Sequence, residues 1–555
     1  MAGGKPFQKE LLFLNNNVGD VYASICFLYI QYCKKGTNVN DELLKIANQS
    51  FIRYLKLSNK DGVEIGKEFD KLCLELKDYP EVIRLFVEFK SEKSKGIAVS
   101  NRYVCELIDK LLDIKPNDIV LDLGSAYGSF LAYVSSRENN RFVKPVLIGQ
   151  EINLDLANSS KMLLEMLEAN YSIENIDSIT SDSCPSFTKG YVFPPFGLKY
   201  DANLYDSFIQ QKPELFNGRV SSSWLFIFKA LSKLKANGKI VAIVNEGSLF
   251  QSADANIRKY LIDNGLLEGI VSLPYNSING ISTKIDILVL SNGNKSFKIV
   301  DGDKVLDGLP IKGLNSHEAA VDLFNAYNSN FKAFTKEDIH TIDCCLTMNS
   351  LMAQDIYKGM NDLVNLTDVV EIIKGCSLTL SNFEDSITES HTGTKILTSG
   401  DIDEYGMIDY DSMKNIIEDK KLKKYYAQNK DVILSSKSTK VKIAVFREKN
   451  DDQVLVTGGM IILRPKSKKI DSLFLKIFFS SKKGMELLNS IQKGLVITTI
   501  SLANLSTLKI PCPDIDIQRE IAKKYLDTIW EYQMKKMELR ILEKQLNEFY
   551  DKYER

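Results

Sequence analysis

Residues 119–130 read Ile119-Val120-Leu121-Asp122-Leu123-Gly124-Ser125-Ala126-Tyr127-Gly128-Ser129-Phe130. A run of strand character enters a glycine-punctuated turn, and an apolar helical pattern follows. Gly124 and Gly128 let the backbone pass close to a ligand. A turn of this kind at the carboxyl edge of a sheet can hold a nucleotide-like cofactor. Taken alone, it also fits any strand-to-helix connection.

The surroundings extend the pattern. Strand-like runs at 119–123, 146–149, 239–244, 267–273 and 285–290 alternate with helical periodicity at 102–112, 130–136, 154–170, 221–234 and 255–264. That alternation predicts an α/β fold, a mostly parallel Rossmann-like sheet with helices on both faces. The second run ends at Glu151, where a carboxylate accepts hydrogen bonds from ribose hydroxyls. Asp182 is expected to end a further strand-like stretch and to reach an adenine amino group. Solvated loop carboxylates are the plain alternative for both acids, although Asp122, Glu151 and Asp182 follow in order. Later on the same expected sheet comes Tyr191-Val192-Phe193-Pro194-Pro195-Phe196-Gly197.

Outside this domain, taken as 96–300, the texture changes. Residues 1–95 read as a helical domain, with Leu and Ile recurring at three- and four-residue spacings. Residues 301–359 read as a closing segment and connector. From 360 to 515, β-branched strands at 369–374, 395–399, 431–435, 442–446 and 460–463 alternate with turns and many lysines, an α+β pattern. Residues 516–555 then form one long helix. In it Tyr525, Ile529, Tyr532, Lys536, Leu539, Leu546, Tyr550 and Tyr553 follow the 3.5-residue coiled-coil repeat, which Glu543 interrupts. A helix partner, or docking on its own chain, would cover that seam.

The chain has 555 residues, enough for two to four domains. A formal net charge of -1 gives no global attraction to nucleic acid, so contact with DNA must rest on local basic patches. Nine cysteines, none spaced C-x-x-C, point to a reducing cytoplasm rather than a disulfide framework or zinc site. With three scattered histidines, no metal is expected. No membrane span is expected either, because the apolar run at 21–33 is too short. There is no G-x-x-x-x-G-K-[ST] phosphate loop, so any cleavage or translocation would need another chain.

The segment from about 90 to 350 resembles the methyltransferase subunit of type I restriction-modification systems, a family of N6-adenine DNA methyltransferases. The resemblance rests on Asp122…Gly128-Ser-Phe130, Gly149-Gln-Glu151, Pro194-Pro-Phe-Gly197, Trp224-Leu-Phe-Ile-Phe-Lys and Asn237-Gly-Lys-Ile-Val. It implies S-adenosylmethionine bound through Asp122, Gly124, Ala126, Gly128, Phe130, Glu151 and Asp182. It also implies a catalytic loop of Phe193, Pro194, Pro195 and Phe196. In the family, the side chain before Pro-Pro and a proline-loop carbonyl accept the hydrogens of the target amine, and the aromatic after Pro-Pro stacks on the flipped base. Family members carry Asn, Asp or Ser where this chain has Phe193, which cannot accept. They carry Gly at the place of Ala126, and Thr-Pro where this chain reads Val99-Ser100-Asn101. A catalytically silent, DNA-binding methyltransferase fold is the alternative these departures leave open.

The last third resembles the specificity subunit of the same systems, through Leu366-Thr-Asp-Val-Val-Glu-Ile-Ile-Lys-Gly375, Ser399-Gly-Asp401 and Leu508-Lys-Ile-Pro-Cys-Pro-Asp-Ile-Asp-Ile-Gln518. One recognition domain and one helix stand where full specificity subunits have two of each. The resemblance implies double-stranded DNA as partner, pairing of two copies or a partner subunit through the helix, and a separate restriction subunit. Lys421, Lys424, Lys437 and Lys440, in a lysine-rich stretch reaching Lys442, are the candidate phosphate contacts.

Overall fold

The computed structural model describes residues 6–36, 39–91, 99–137, 144–198, 200, 211–212, 214–216, 220–278, 280–281, 283–307, 309, 313–329, 333–340, 344–357, 359–376, 387–417, 420–436, 441–449, 452–493, 499–500, 502–547 and 549. The chain divides into two compact units, Met1–Met348 and Asn349–Arg555.

The first unit opens with helices α1 (Gln8–Asn17), α2 (Val21–Lys35), α3 (Asp41–Ser58), α4 (Gly62–Asp70) and α5 (Tyr79–Ser91). Asp20 and Asn40 cap α2 and α3 by accepting the Ala23 and Leu43 amides at 2.8 and 3.1 Å, which satisfies amides that the first helical turn leaves without partners. Helix α2 buries Ile25 through Tyr29 without a break. It is the central helix of this group, packed on α3, α5 and, after α6 (Arg102–Leu112) and α7 (Ser129–Ser135), on α8 (Leu154–Met166).

The sheet comprises β1 (Ile119–Leu123), β2 (Val146–Gln150), β3 (Tyr171–Glu174), β4 (Phe187–Val192), β5 (Leu234–Asn245), β6 (Leu267–Ser272), β7 (Ile285–Ser291), β8 (Ser296–Asp301) and β9 (Ala333–Thr335). Their order is β3-β2-β1-β4-β5-β7-β6-β8-β9. Strands β1 to β5 are parallel, β7 runs antiparallel between β5 and β6, and β9 is antiparallel at the edge. Central position explains the apolar runs Ile240–Val244 and Ile287–Leu290, which are covered on both faces. From β1 the chain winds outward through β2 and β3, then crosses back to β4 and β5. The carboxyl edge between β1 and β4 is therefore a topological switch point, where such sheets open a crevice.

In the second unit, strands Val370–Lys374, Met460–Pro465, Val432–Ser435 and Ile443–Val445 form one antiparallel sheet, in that order. A second four-stranded sheet orders Ile387–Thr388, Lys414–Ile416, Thr394–Leu397 and Gln453–Val456. All five strands expected in this region are present. The long helix spans Ile515–Asn547; Tyr550 and Tyr553 of the expected seam lie outside the described residues. Among the described residues, no helix is long and apolar enough to cross a membrane.

Candidate cofactor and target-base site

The glycine turn is held by the end of the neighbouring strand. The Gln150 carbonyl accepts the Gly124 and Ser125 amides at 2.9 and 3.0 Å. One Glu151 carboxylate oxygen accepts the Ala126 amide at 2.9 Å, and the other accepts the Asn153 amide at 2.8 Å. Each oxygen keeps a further lone pair for a ligand hydroxyl. Gly128 has φ +72, and a Cβ on it would lie 2.2 Å from the Ser160 hydroxyl of α8, so only glycine lets the turn approach that helix.

Ala126 is held at φ 48, where the family pattern has glycine. A left-handed L-residue costs about 1–2 kcal/mol, partly offset because alanine restricts the unfolded chain. Ala126→Gly is therefore expected to stabilise the protein by about 1 kcal/mol, read as a higher urea midpoint at unchanged slope. A lower midpoint would show that the turn is not strained.

Asp122 is buried at the end of β1, 3% exposed, and borders a small cavity of about 40 Å³ with Ser100, Ser125, Phe130, Tyr191 and Phe193. Burial, then the nearby charge of Glu151, pushes its carboxyl well above the usual carboxylate range. Among the described residues no donor hydrogen-bonds that carboxyl. It is thus poised to ionise beside a cation. Phe130 is buried with its ring 4.6 Å from that of Tyr191.

A larger cavity of about 390 Å³ lies on the same edge. Gly124, Ala126, Gln150, Glu151 and Ile152 line one side, and Phe193, Pro194, Pro195 and Phe196 line another. The glycine turn, the strand-end acid and the proline loop, far apart in sequence, thus meet around one space. The Phe193 and Phe196 rings are 5.9 Å apart and inclined at 60°. The Ser222 hydroxyl, on the helix Ser222–Lys233, donates to the Pro195 carbonyl at 3.2 Å and steadies the loop.

Asp182 does not line this cavity. It sits exposed in the irregular segment between β3 and β4 rather than at a strand end. The turn closes earlier: the Asp177 carboxylate accepts the Ile179 amide at 2.9 Å, and the Asp177 carbonyl accepts the Ser181 amide at 3.1 Å. Asp177 and Ser178 line the cavity instead, with Tyr200 and Phe226. Burial, and then the Asp177 charge, pushes the Tyr200 hydroxyl up to about 12. The sequence signal for Asp177 was its place three residues beyond β3.

Of the candidate phosphate contacts in the second unit, Lys424 is exposed, with its ammonium 4.7 Å from the Tyr425 ring centroid. Lys421 lies on the turn Lys420–Tyr425. Lys437 and Lys440 fall outside the described residues. Lys442, read from sequence as part of the basic stretch, instead donates to the Ser399 and Ile402 carbonyls at 3.0 and 2.5 Å and braces that turn of its own domain.

Comparison with known proteins adds the following. The model of the N-6 DNA Methylase family matches residues 79–388, and that of the type I restriction modification DNA specificity domain matches residues 360–540. The type I restriction enzyme MpnII methylase subunit of Mycoplasma pneumoniae is 24% identical over 383 residues, covering 61% of this chain and 68% of that protein. Among solved structures, the type I restriction-modification methyltransferase subunit from Streptococcus thermophilus is 19% identical at a TM-score of 0.44. That match covers 49% of this chain and 63%, less than two thirds, of the other. A putative class I S-adenosylmethionine-dependent methyltransferase from Listeria monocytogenes is 15% identical at a TM-score of 0.40, covering 59% of this chain and 97% of the other.

Proposed function

Because this chain belongs to the N-6 DNA Methylase family and carries a type I specificity domain behind the methylase, we propose that it methylates adenine N6 in duplex DNA at a defined sequence. The observation that carries this reading is the single cavity shared by the glycine turn, Glu151 and the Pro-Pro-Phe loop.

The residues present fit S-adenosylmethionine. Asp122 offers a buried carboxyl without a partner to an ammonium group, and Glu151 retains lone pairs for ribose hydroxyls. Asp177 and Ser178 supply polar groups for the adenine edge. When bound, the cofactor supplies a methyl group activated by its sulfonium. The chain's own contribution is to present the target. A base extruded from the duplex would stack on Phe196. The Pro194 carbonyl would accept one amine hydrogen, drawing the nitrogen lone pair out of conjugation with the ring. Phe193 supplies no second acceptor. That one side chain supports a second reading, a protein that binds DNA and cofactor without transferring methyl groups.

Incubating the purified chain with labelled cofactor and duplex DNA, then resolving the nucleosides by mass spectrometry, tests the proposal. Label in N6-methyladenine is expected. Label in N4-methylcytosine, or in no nucleoside, overturns it.

The recognition domain and long helix would act as half of a bipartite reader, with two copies paired through their helices and any cleavage left to a separate restriction subunit. Beyond Tyr525, Leu539 and Leu546 of the seam are 56% and 72% exposed. Parallel pairing would set Lys536 and Glu543 each against its own twin. Antiparallel pairing centred near Leu539 would bring Lys536 of one copy opposite Glu543 of the other, so opposite charges would meet. Leu539→Glu should convert a dimer into a monomer in sedimentation equilibrium; a native chain that is already monomeric would refute the pairing.

A further inference from the structure

The long helix is fastened to its own recognition domain at two places. The first is Gln518, fully buried, whose side-chain carbonyl accepts the Asp471 amide at 2.9 Å while its amide donates to the Lys469 and Pro513 carbonyls at 2.9 and 2.7 Å. The second lies about 21 Å further along the axis, at 1.5 Å per residue. There the Tyr405 and Tyr532 hydroxyls share a hydrogen bond of 2.7 Å, with ring centroids 4.9 Å apart. The Lys476 ammonium donates to the Tyr405 carbonyl at 2.6 Å and to the Tyr525 hydroxyl at 3.1 Å, so it ties the same turn to the helix.

The turn that carries Tyr405 is built for this contact. The Asp403 carboxylate accepts the Tyr405 and Met407 amides at 2.9 and 2.8 Å. Gly406 sits at φ +73, where an added Cβ would lie 1.8 Å from the Ile443 carbonyl oxygen and 2.8 Å from Cε of Lys476. Only glycine lets the turn wedge between the Ile443 backbone and the Lys476 side chain that reaches Tyr525 of the long helix. A rod held at one point pivots; held at two, it has a direction. Past this second point residues 533–546 of the helix are exposed.

We propose that Tyr405, Gly406, Lys476, Tyr525 and Tyr532 form a clamp that fixes the direction of the helix from the recognition domain, and thereby the number of base pairs between the two half-sites. The proposal rests on the two-copy reading above. Asn547 is about 44 Å from Gln518 along the helix, so a 10° swing would move it by about 8 Å, more than two base-pair steps of about 3.4 Å. A loose clamp would therefore admit more than one gap length. Base choice within each half-site belongs to the recognition domain and would not change.

Two measurements on the full-length chain test this. Spin labels on p-acetylphenylalanine at Lys414 and Gln545 report the direction of the helix directly. A narrow distance distribution is expected for the native chain, and a distribution at least twice as wide for Tyr405→Ala. Gly406→Ala, which pushes the turn away, should act the same way; Tyr405→Ala keeps the test open if that variant does not fold. Equal widths in folded native and variant proteins overturn the clamp. Methylation mapping then reads the consequence. One gap length is expected for the native chain, and two or three adjacent lengths with unchanged half-sites for Tyr405→Ala. An unchanged single gap overturns the role in spacing. A native target that is not bipartite removes the two-copy reading on which the spacing role stands, and the width comparison separates that failure from a failure of the clamp itself.

Discussion

Phe193→Asn should raise the rate of methyl transfer to duplex DNA about a hundredfold at saturating cofactor. An exocyclic adenine amine is a poor nucleophile because its lone pair is delocalised into the ring. Two acceptors aimed at its hydrogens favour the pyramidal nitrogen that attacks. Removing one preorganised donor or acceptor from such a site costs on the order of 3 kcal/mol of barrier, or about a hundredfold in rate. Phe193 lines the same cavity as Pro194, Pro195 and Phe196, so an amide at that position has access to the same space. The ring is half-buried against Phe196, so the substitution should also lower stability, by roughly 1–2 kcal/mol, less than the loss for a fully buried ring. Faster chemistry in a less stable protein is the expected signature. An unchanged rate would mean that another group already serves as the acceptor. Activity gained from a native chain that has none would establish the silent reading.

Asp122→Asn should weaken cofactor affinity about a hundredfold and leave the free protein at least as stable as before. In the free protein the carboxyl is desolvated beside Glu151 and lacks a partner, so its charge is a liability there. Loss of one partner from a buried charge pair costs about 2–5 kcal/mol, which covers a hundredfold. The sign of the pH dependence follows. The folded-state pKa is raised, so between the ordinary carboxylate range and the raised value the folded protein holds a proton that the unfolded chain releases. This group's contribution to stability is therefore best below that window and falls as pH rises through it. Affinity for a cationic cofactor runs the other way: it rises with pH over the same window, and binding releases a proton. Calorimetry in buffers of different ionisation enthalpy would detect that proton. Asp122→Asn should abolish both pH dependences; persistence of either would assign it to another group.

Much of the site could be read from the chain because its parts lie where apolar strands end. The runs Ile119–Leu123 and 146–150 are long enough to register as strands, and they fix Asp122 and Glu151. Strand β4 was not evident, since Thr188-Lys189-Gly190 interrupts the apolar run with polar residues and a glycine. It is held by tertiary contacts, the Lys189 ammonium donating to the Leu112 carbonyl at 2.7 Å and the Thr188 hydroxyl to Asp118 at 2.7 Å. Asp177 was missed in favour of Asp182 because an irregular segment has no periodicity; a turn closed by the Asp177 side chain decides which acid faces the cavity. The long helix was plain from its repeat, but its fastening was not. Gln518 is a polar residue buried by three backbone partners, and Tyr405 lies 127 positions from Tyr532. Lysine density likewise does not tell which ammonium faces outward: Lys442 points into its own domain.

The most direct measurement is long-read modification sequencing of genomic DNA from cells expressing the native chain and, separately, Asp122→Asn. A single N6-methyladenine motif, present with the native chain and lost with the variant, is the predicted result. No methylated motif with the native chain, or one that persists unchanged in Asp122→Asn, would contradict it.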